Sequence, residues 1–466
     1  MNRICIILAI VASVAAAGCS GVRNLSVPAT TVPLSYNDAP ANDTLCFADE
    51  EWWEFYTDPV LRDFIHKTLA NNKDLLTAAA RIEEMRQLLG VDKANLLPTI
   101  NGNIYANDET NDYSGAGLTH DREIGVKIPI SWEMNLMGSL LWARRKGEAN
   151  YIASTFDYRA MQVSLIAATA EAYFRLIALQ NELSIVRQTE ESRRESLRMA
   201  KIRFEGGLTS ETSYQQALVQ YSSTASLVPN LEKQVKAARN ALTLLMGEFP
   251  HELECSRILD FSSKVIEQLQ PGIPSQLLRR RPDVMAAEQR LAAARAEVGV
   301  KYAERFPTFQ IGFTGGLENN ELKDFLKSPF TYIFGSVTGP VFDFGRKKRK
   351  YKAAVAAYEQ ARLQYEKTVI QAFTEVDNAL NAYKAALQSS QLKINLRDAA
   401  SKYIHLAQLQ YNGNAGTLTY IDVLDAQRRY FEAQIDVSNA VRDEYFVLIG
   451  LYKALGGGWS ITENEN

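Results

Sequence analysis

The stretch Arg346–Asn412 reads RKKRKYKAAVAAYEQARLQYEKTVIQAFTEVDNALNAYKAALQSSQLKINLRDAASKYIHLAQLQYN, which is 67 residues without one glycine or proline. Because neither helix breaker interrupts it, the stretch predicts a single α-helix, roughly 100 Å long at about 1.5 Å per residue. Globular helices usually end after about 8–20 residues. Charged residues recur every few positions, which excludes a membrane-spanning helix here.

The first half of this helix carries a seam of tyrosines and alanines. The spacing alternates between three and four residues, through Tyr351, Ala354, Tyr358, Ala361 and Tyr365. The small alanines allow a neighbouring helix to approach closely, as in a coiled coil. Since most helical stability comes from tertiary packing, the helix requires partner helices along its length.

The composition excludes several classes of function. The chain has 466 residues, 51 basic and 54 acidic side chains, a net charge of −3 and 46% hydrophobic residues. This charge balance does not favour a nucleic-acid partner, and the hydrophobic content is that of a folded protein. The four histidines lack metal-site spacing, and no phosphate loop or nucleophile elbow occurs. We therefore expect no enzymatic activity, no cofactor and no metal.

The N-terminus has the pattern of a signal peptide over residues 1–18. Arg3 supplies the positive charge, residues 4–15 are apolar, and the small residues 16–18 precede Cys19. This ending resembles a bacterial lipoprotein signal, which implies that Cys19 is lipidated (palmitate included) and becomes the mature N-terminus. An ordinary secretory signal with a coincidental cysteine is the alternative. Outside this segment, no stretch has the composition of a transmembrane helix.

Two further cysteines remain in the mature chain, Cys46 and Cys255. An oxidising periplasm would permit a disulfide between them. A free, buried thiol fits the sequence equally well, so the pairing stays open.

The chain is predicted to contain an internal two-fold repeat at an offset close to 209 residues. Glycine, proline and charged anchors match in order: Asp74 with Asp283, Ala78 with Ala287, Arg81 with Arg290, Gly90 with Gly299, Pro98 with Pro307 and Gly206 with Gly413. The matches place repeat 1 at 59–246 and repeat 2 at 276–455, with an equatorial connector at 247–275. Residues 19–58 then form a lipid-anchored N-terminal segment, and residues 456–466 form a C-terminal tail.

Each repeat predicts the same plan of a helix, two short strands, a very long helix and a returning helix. The expected helices are Pro59–Leu96, Leu140–Glu205 and Thr209–Met246, and then Pro282–Phe306, Arg346–Tyr411 and Thr417–Leu455. Pro282 suits a first helical position. Pro229 lies inside a returning helix and predicts a kink or break there.

The strand segments alternate between apolar and polar residues. The apolar faces contain Ile100, Ile104, Ile124, Val126, Ile128 and Ile130 in repeat 1, and Phe309, Ile311 and Phe313 in repeat 2. This alternation is typical of an outer-membrane barrel wall and also of a half-buried soluble sheet. Trp132, Phe342 and Phe344, which we expect just past the strand ends, favour the barrel, because aromatic girdles lie at membrane interfaces. The segments Asp108–His120 and Leu317–Phe330 are expected to be polar loops.

Four strands cannot close a barrel, and an open sheet edge is not tolerated in lipid. The barrel must therefore be shared between copies, and three copies would give twelve strands. The number three does not follow from the sequence alone. The predicted fold class is mostly α, a long α-helical coiled-coil barrel with a small transmembrane β part.

Three motifs resemble those of the TolC-type outer membrane efflux family. They are Arg280-Arg281-Pro282-Asp283-Val284, Asp422-Val423-Leu424-Asp425-Ala426-Gln427 and Leu451-Tyr452-Lys453-Ala454-Leu455-Gly456-Gly457-Gly458-Trp459. The lipoprotein signal and the glycine-rich end place the resemblance nearest the OprM-like lipoprotein branch. The resemblance implies a homotrimer with a twelve-stranded β-barrel in outer-membrane lipid above a periplasmic helical tunnel. It also implies a periplasmic adaptor (membrane fusion) protein and an inner-membrane efflux transporter as partners.

The resemblance implies a periplasmic gate that includes Asp422, Asp425 and Tyr411. At a spacing of three residues the two aspartates share one helix face, and a ring of three copies would crowd their charges. Asp422 is also suited to stabilise the start of a helix, whether or not it gates. Tyr411 fits either an inter-helix hydrogen bond or simple packing. Repeat 1 has Ser213 and Gln216 at the equivalent positions, so the aspartates would come from repeat 2 only.

The turns at the helix ends are the expected adaptor contacts, with Gly206 and Gly207 in one and Gly413 and Gly416 in the other. Glycine is needed at such turns in any case. The turn after Tyr411 is longer than the family usually has, and Leu418 stands where the pattern has a basic residue, which leaves a closing salt bridge there in doubt.

Three functions are compatible with these patterns. The first is the outer-membrane exit duct of a tripartite pump for drugs or other toxic small molecules. The second is the exit duct of a type I protein secretion system, which usually lacks a lipoprotein signal. The third is a coiled-coil adaptor lipoprotein, which would show one helical hairpin rather than two paired copies and would form no pore.

Overall fold

The computed structural model describes residues 52–112, 115, 117–255, 274–412 and 419–457. The helices are α1 (Trp52–Phe55), α2 (Pro59–Asn71), α3 (Lys73–Ala94), α4 (Ser139–Glu205), α5 (Glu211–Ala225), α6 (Leu227–Leu245), α7 (Pro274–Arg280), α8 (Pro282–Ala303), α9 (Arg346–Asn412) and α10 (Tyr420–Ala454). The strands are β1 (Thr99–Ile100), β2 (Asn103–Asp112), β3 (Leu118–Met134), β4 (Thr308–Asn319) and β5 (Pro329–Thr338), with a short 3₁₀ helix at Leu322–Lys327.

The chain divides into two compact units. Unit 1 contains Ala80–Phe156 and Met285–Thr368, and therefore holds all five strands. Unit 2 contains the described residues of Thr31–Ala79, Asp157–Val284 and Val369–Asn466. Both long helices contribute residues to both units.

The predicted very long helices are confirmed. Helices α4 and α9 each contain 67 residues, so each is about 100 Å long. The seam of α9 is largely covered, since Ala354, Tyr358 and Tyr365 are buried within one chain. One 18-residue window of α4 is apolar enough by composition to cross a membrane, which the sequence reasoning did not identify. However, 61% of that window is buried inside the structure, as in a core helix.

The first helix of the chain is broken at Asn72, where one continuous helix Pro59–Leu96 was predicted, so that prediction was wrong. The Asn72 side-chain oxygen accepts the amides of Asp74 and Leu75 at 3.0 and 3.2 Å and so caps α3. Its amide nitrogen donates to the Leu245 carbonyl, 2.9 Å away at the end of α6. An asparagine competes for backbone hydrogen bonds in this way, and here it joins two helix ends.

Arg281 occupies the corresponding place between α7 and α8. Its guanidinium donates to the Ala454 carbonyl at the end of α10, at 3.1 Å, and binds Asp283 through two nitrogens and Glu375 through one. Burial alone would lower the pKa of Arg281, but the two carboxylates raise it, so the cation is retained. Helix α8 starts at Pro282, which confirms that expectation.

Left-handed glycines end the two helices that Asn72 and Arg281 contact. Gly247 after α6 has φ 69° and Gly456 after α10 has φ 79°, values that a side chain disfavours. Each forms a Schellman motif with the preceding turn, for example through Gly457 N to Tyr452 O at 2.9 Å. A Cβ on Gly457 would lie 2.5 Å from the Tyr452 ring. The glycine-rich motif therefore serves close packing.

Helices α5 and α6 are separate, divided at Ser226, with Pro229 in the first turn of α6. The predicted break near Pro229 is confirmed, since a proline in the helix interior would remove a hydrogen bond, whereas the first turn tolerates it.

The five strands form one antiparallel sheet, in the order β1 and β2, then β3, β4 and β5. Segments β1 and β2 both pair with β3 and act as one interrupted strand, with the Asn101 amide still bonded to the Pro129 carbonyl at 3.0 Å. The chain thus supplies four strands, as predicted, but they are longer than expected. Strands β2, β3, β4 and β5 extend into the segments 108–120 and 317–330, which were predicted to be loops.

The two faces of the sheet differ in polarity. Register places Ile104, Ile128, Ile311 and Ile333 on one face, and these side chains are exposed in the single chain. On the other face the Tyr105 hydroxyl oxygen lies 2.7 Å from Glu123 and 2.6 Å from Glu318, and its single proton can be donated to one carboxylate at a time. Trp132 lies within β3 rather than past its end, which corrects the prediction. Phe342 and Phe344 do follow the last strand, as expected.

The principal core of unit 2 joins the chain ends to the long helices. Tyr173 and Leu176 of α4 pack there with Leu242 of α6 and Tyr452 of α10, all nearly inaccessible to solvent. The Tyr173 hydroxyl donates to Asp58, the N-cap residue of α2, at 2.5 Å. Trp52, the first described residue, is buried in the same cluster. This core packs shorter helices against α4 near the middle of its sequence.

We predict that Arg281→Ala destabilises the protein by about 2–3 kcal/mol. The change leaves the buried Ala454 carbonyl without a donor and removes the cation that Asp283 and Glu375 share. Thermal unfolding followed by circular dichroism should show a lower midpoint.

Arg279→Ala is the matched control, because Arg279 lies exposed on α7 two residues away. The proposed role of Arg281 is wrong if both variants unfold at the same temperature as the wild-type protein.

Candidate functional site at the helix ends

The predicted gate residues lie where four helix ends of unit 2 meet. Helix α4 ends at Glu205 and α5 starts at Glu211, while α9 ends at Asn412 and α10 starts at Tyr420. We call these four ends and the turn 206–210 the tip site. Gly413, Gly416 and Leu418 lie outside the described residues.

The turn after α4 is a Schellman motif around Gly207. Gly207 has φ 69°, its amide donates to the Phe204 carbonyl at 2.9 Å, and the Leu208 amide donates to the Arg203 carbonyl at 2.8 Å. The apolar residue after such a turn usually packs back on its helix, yet Leu208 is 78% exposed.

Asp422 is bound within its own helix end. It is the third residue of α10, and one carboxylate oxygen accepts both the Thr419 amide and the Thr419 hydroxyl at 2.7 Å. With the Thr419 side chain accepting from the backbone in return, this is a capping box. The hydrogen bonds from Thr419 lower the pKa of the Asp422 carboxyl, so it is ionised at neutral pH. The helix-start role of Asp422 is confirmed.

Asp425 is bound by two arginines that the sequence reasoning missed. Its two oxygens each accept at 2.7 Å, one from Arg428 and one from Arg429. The bonds from Arg429 and then Arg428 lower the pKa of the Asp425 carboxyl. Arg428 continues to Glu432 at 2.9 Å. The spacing of three and four residues after Asp425 was the available sequence indication, because such residues are neighbours on a helix.

Tyr411 both packs and approaches a hydrogen-bond donor. Its ring lies 5.9 Å from the Tyr420 ring and packs against a small buried cluster of Ala407, Val423 and Ala426. Its hydroxyl is 3.5 Å from an Arg203 guanidinium nitrogen, at the limit of a hydrogen bond. Both uses predicted for Tyr411 are therefore present. Tyr411 joins the end of α4 to the ends of α9 and α10.

A cavity of about 250 Å³ lies beside this contact, lined by Met199, Arg203, Thr209, Ser213, Tyr411 and Tyr420 among others. Ser213, the equivalent of Asp422 in the first half of the chain, therefore faces the same region. Its hydroxyl lies 3.4 Å from that of Ser210, and it carries no charge. The acidic groups of the predicted gate come from α10, as expected.

The tip site has the features of a mechanical contact rather than a reactive centre. Asp422 accepts hydrogen bonds from Thr419, and Asp425 pairs with Arg428 and Arg429 on the same helix, so each carboxylate has its own donors. Among the described residues, no group of three or more histidine, cysteine or acidic side chains is placed to hold a metal ion. The charged side chains of the tip site form exposed ion pairs, which contribute little stability in water.

The predicted cysteine sites fall mostly outside the described residues. Cys19 and Cys46 both lie there, so lipidation and the disulfide remain predictions. Cys255 is a free, partly buried thiol that packs against the core of unit 2. Burial raises the pKa of this thiol to about 11, so it is protonated and unreactive at neutral pH.

Comparison with known proteins gives one consistent family. The model of the family "Outer membrane efflux protein" matches residues 64–248 and 273–457. The probable efflux pump outer membrane protein SepC and the toluene efflux pump outer membrane protein TtgF, both of Pseudomonas putida, are each 31% identical over 98% of both chains. The open-state MtrE outer membrane channel of Neisseria gonorrhoeae is 26% identical, with a TM-score of 0.83 over 94% of this chain and 98% of that one.

We predict that Asp422→Ala weakens the first turn of α10 without unfolding the protein. The pKa of Asp422 is lower in the folded state than in the unfolded state. Its hydrogen bonds therefore stabilise the turn at any pH above the pKa of the unfolded state, which is near 4. This stabilisation is lost as the pH falls through the lowered pKa of the folded state. Hydrogen exchange of the wild-type amides of Thr419 and Asp422, which the capping box engages, should therefore stay slow from pH 7 to 5 once corrected for intrinsic rates.

In the variant the same amides should exchange faster at every pH in that range. Asp436→Ala, an exposed position in the middle of α10, is the control and should leave them unchanged. Equal protection of these amides in both variants would contradict the capping role.

Proposed function

This chain belongs to the outer membrane efflux protein family, and we propose that it forms the outer-membrane exit duct of an efflux pump for toxic small molecules. The observation that best supports this proposal is how much of the chain resembles efflux proteins. The family model covers both halves of the chain, and two efflux pump proteins align over 98% of its length. Both relatives are efflux pump outer membrane proteins, which favours efflux over the type I secretion duct and over an adaptor. Members of this family are channels rather than enzymes.

The edges of the sheet support a barrel shared between copies, which we propose to be a trimer with twelve strands. Among the described residues, strand β5 pairs only with β4, and the strand formed by β1 and β2 pairs only with β3. Both outer strands therefore present unpaired backbone groups along one side. In a bilayer such edges must be paired, and two further copies would pair them and complete the barrel. The apolar face of the sheet would then contact lipid and the polar face would line the pore.

The internal duplication is also a proposal. It is supported by the two family matches and by the equivalence of the helix-end contacts. Asn72 with Leu245 and Arg281 with Ala454 are the same kind of contact, and both residue pairs are related by an offset of 209. The equatorial connector and the chain ends would form a collar, because Trp52, Leu253 and Tyr452 pack in one cluster.

The gate is proposed at the tip site. Three copies would bring α10 of each chain towards one axis, with Asp422 and Asp425 near the opening and Tyr411 tying α9 to α4. The ion pairs of Asp425 with Arg428 and Arg429 are exposed and lie within α10, so they would not hold α10 to a neighbouring helix. The turns with Gly206 and Gly207, and with Gly413 and Gly416, would contact a periplasmic adaptor that connects the duct to an inner-membrane transporter. Cys19 would carry the lipid anchor.

We predict a mass of three chains in mild detergent. Any closed ring of copies would pair every sheet edge, whereas one copy leaves two edges open, and the family resemblance implies that the ring contains three copies. Light scattering coupled to size-exclusion chromatography measures the protein mass directly, and a monomer would contradict the shared barrel.

We predict that the purified protein conducts a small current in planar bilayers and that the current increases in Asp422→Ala/Asp425→Ala. Removing the Asp422 carboxylate breaks the capping box and loosens the first turn of α10, and removing the Asp425 carboxylate takes a second negative charge from the proposed opening, so the closed tip should be weakened. The wild-type current should prefer cations. That preference should fall in the variant, because two guanidinium groups lose their counter-charge.

Ser213→Ala/Gln216→Ala is the matched control at the equivalent positions of the first half and should leave the current unchanged. An absent current in wild-type and variant proteins alike would contradict a duct. An unchanged current in the aspartate variant alone would remove these residues from the gate and leave the duct intact.

A further inference from the structure

The start of α9 carries an unusually basic surface. Residues 341–352 read VFDFGRKKRKYK, and six of the seven residues from Arg346 to Lys352 are basic. We call residues 341–352 the basic patch. Arg346, Lys348, Arg349, Lys350 and Lys352 are exposed, and Lys347 is half-buried. Arg305, at the end of α8, stacks on Tyr351 at 5.4 Å and adds a further exposed cation.

Interactions within the described chain do not account for these charges. None of the six cations from Arg346 to Lys352 forms an ion pair with a carboxylate in the part of the chain that the structure describes. Arg346 and Lys350, and Lys348 and Lys352, are like charges four residues apart, which destabilises a helix. Cations in the first turn also oppose the helix dipole.

One carboxylate lies beside the run, and the backbone engages it. The two oxygens of Asp343 accept the amides of Gly345 and Lys347, at 2.9 and 3.0 Å. The bond from Lys347 lowers the pKa of the Asp343 carboxyl, with smaller contributions from the Gly345 amide and the charges of Arg346 and Lys347. Asp343 therefore caps the start of α9 from three residues upstream and offsets at most one of six cations.

Exposed apolar side chains adjoin the cations. Val341 is fully exposed, and Phe342 and Phe344 are 74% and 85% exposed. The centroids of the two phenylalanine rings are 4.5 Å apart, in an edge-to-face arrangement. Phe344 has φ 52°, the one non-glycine residue with positive φ among the described residues. A bulky residue in this conformation is strained. The strained turn holds an aromatic ring in solvent directly before the cations.

The patch follows the last strand of the sheet by three residues. Strand β5 ends at Thr338, and its apolar side chains Ile333 and Val337 are 75% and 64% exposed. Thr338 pairs with Thr308 at the start of β4, so the patch lies at the end of the sheet where α8 and α9 connect. If the sheet is the membrane wall, as the proposed function requires, this end borders the periplasmic leaflet.

We propose that the basic patch binds the head groups of anionic phospholipids in the periplasmic leaflet of the outer membrane. This inference rests on the proposed function and adds to it a lipid partner and the residues that contact the lipid. The cations neutralise lipid phosphates, as juxtamembrane runs of four to eight lysines and arginines do. Val341, Phe342 and Phe344 enter the boundary between head groups and acyl chains, where aromatic residues are favoured. The binding should weaken with salt, because the cations are exposed.

The test compares two variants with the same loss of charge in the full-length, detergent-solubilised protein. The patch variant is K347Q/K348Q/K350Q/K352Q. The control is K201Q/K233Q/K236Q/K402Q, at four exposed lysines of unit 2. Native mass spectrometry measures binding of phosphatidylglycerol and of phosphatidylcholine, which differ in net charge. We expect wild type and control to bind phosphatidylglycerol at least tenfold more tightly than phosphatidylcholine, and the patch variant to lose most of that difference.

The outcomes separate this inference from the proposed function. If the patch variant binds phosphatidylglycerol as tightly as wild type does, or if wild type does not distinguish the two lipids, the inference is overturned. Loss of binding in the control as well would mean that total charge rather than the patch is responsible, which also overturns it. Bilayer conductance of the patch variant should match wild type, and the conductance result bears on the duct alone.

A second measurement does not depend on the variant folding. Raising the salt concentration from 50 to 500 mM should reduce phosphatidylglycerol binding to wild-type protein several-fold and leave phosphatidylcholine binding unchanged. Binding insensitive to salt would contradict an electrostatic site.

Discussion

An apolar seam on a helix of 67 residues must be covered by other helices, and this requirement organises the chain. Isolated helices gain little stability in water. Here the seam of α9 is covered within one chain at Ala354, Tyr358 and Tyr365. The core around Tyr173 and Leu242 packs α4 against shorter helices near the middle of its sequence. The short helices α2, α6 and α10 are thus the partners that the long helices need.

Specific hydrogen bonds join the shorter helices to one another at their ends. Asn72 and Arg281 each interrupt a helix and donate to the last carbonyls of a second one. Left-handed glycines then close those second helices and bring their ends near the interruptions. Residues that resemble functional motifs, such as Arg281, Gly456 and Gly457, serve this architecture. Their chemistry is hydrogen bonding and close approach of backbone, with no reactive role.

Charge is used differently at the tip site and in the basic patch. At the tip site each aspartate has its own donors, Thr419 for Asp422 and two arginines for Asp425. The acidic groups there are exposed, and each is bonded within its own helix end. In the basic patch six cations have one nearby carboxylate, already engaged by backbone amides. An uncompensated run of this kind implies an anion outside the chain, and the exposed phenylalanines beside it imply lipid.

The sequence by itself determined the long helices, the four alternating strands, the break near Pro229 and the helix-start role of Asp422. These depend on local periodicity and on nearby residues, which a sequence shows directly. The tertiary structure decided the break at Asn72, the length of the strands, the place of Trp132 within β3 and the contacts of Arg281. Each depends on partners far along the chain, such as Leu245 for Asn72 and Ala454 for Arg281. A hydrogen bond across 173 residues leaves no mark in local spacing, because only the packed helices bring donor and acceptor together.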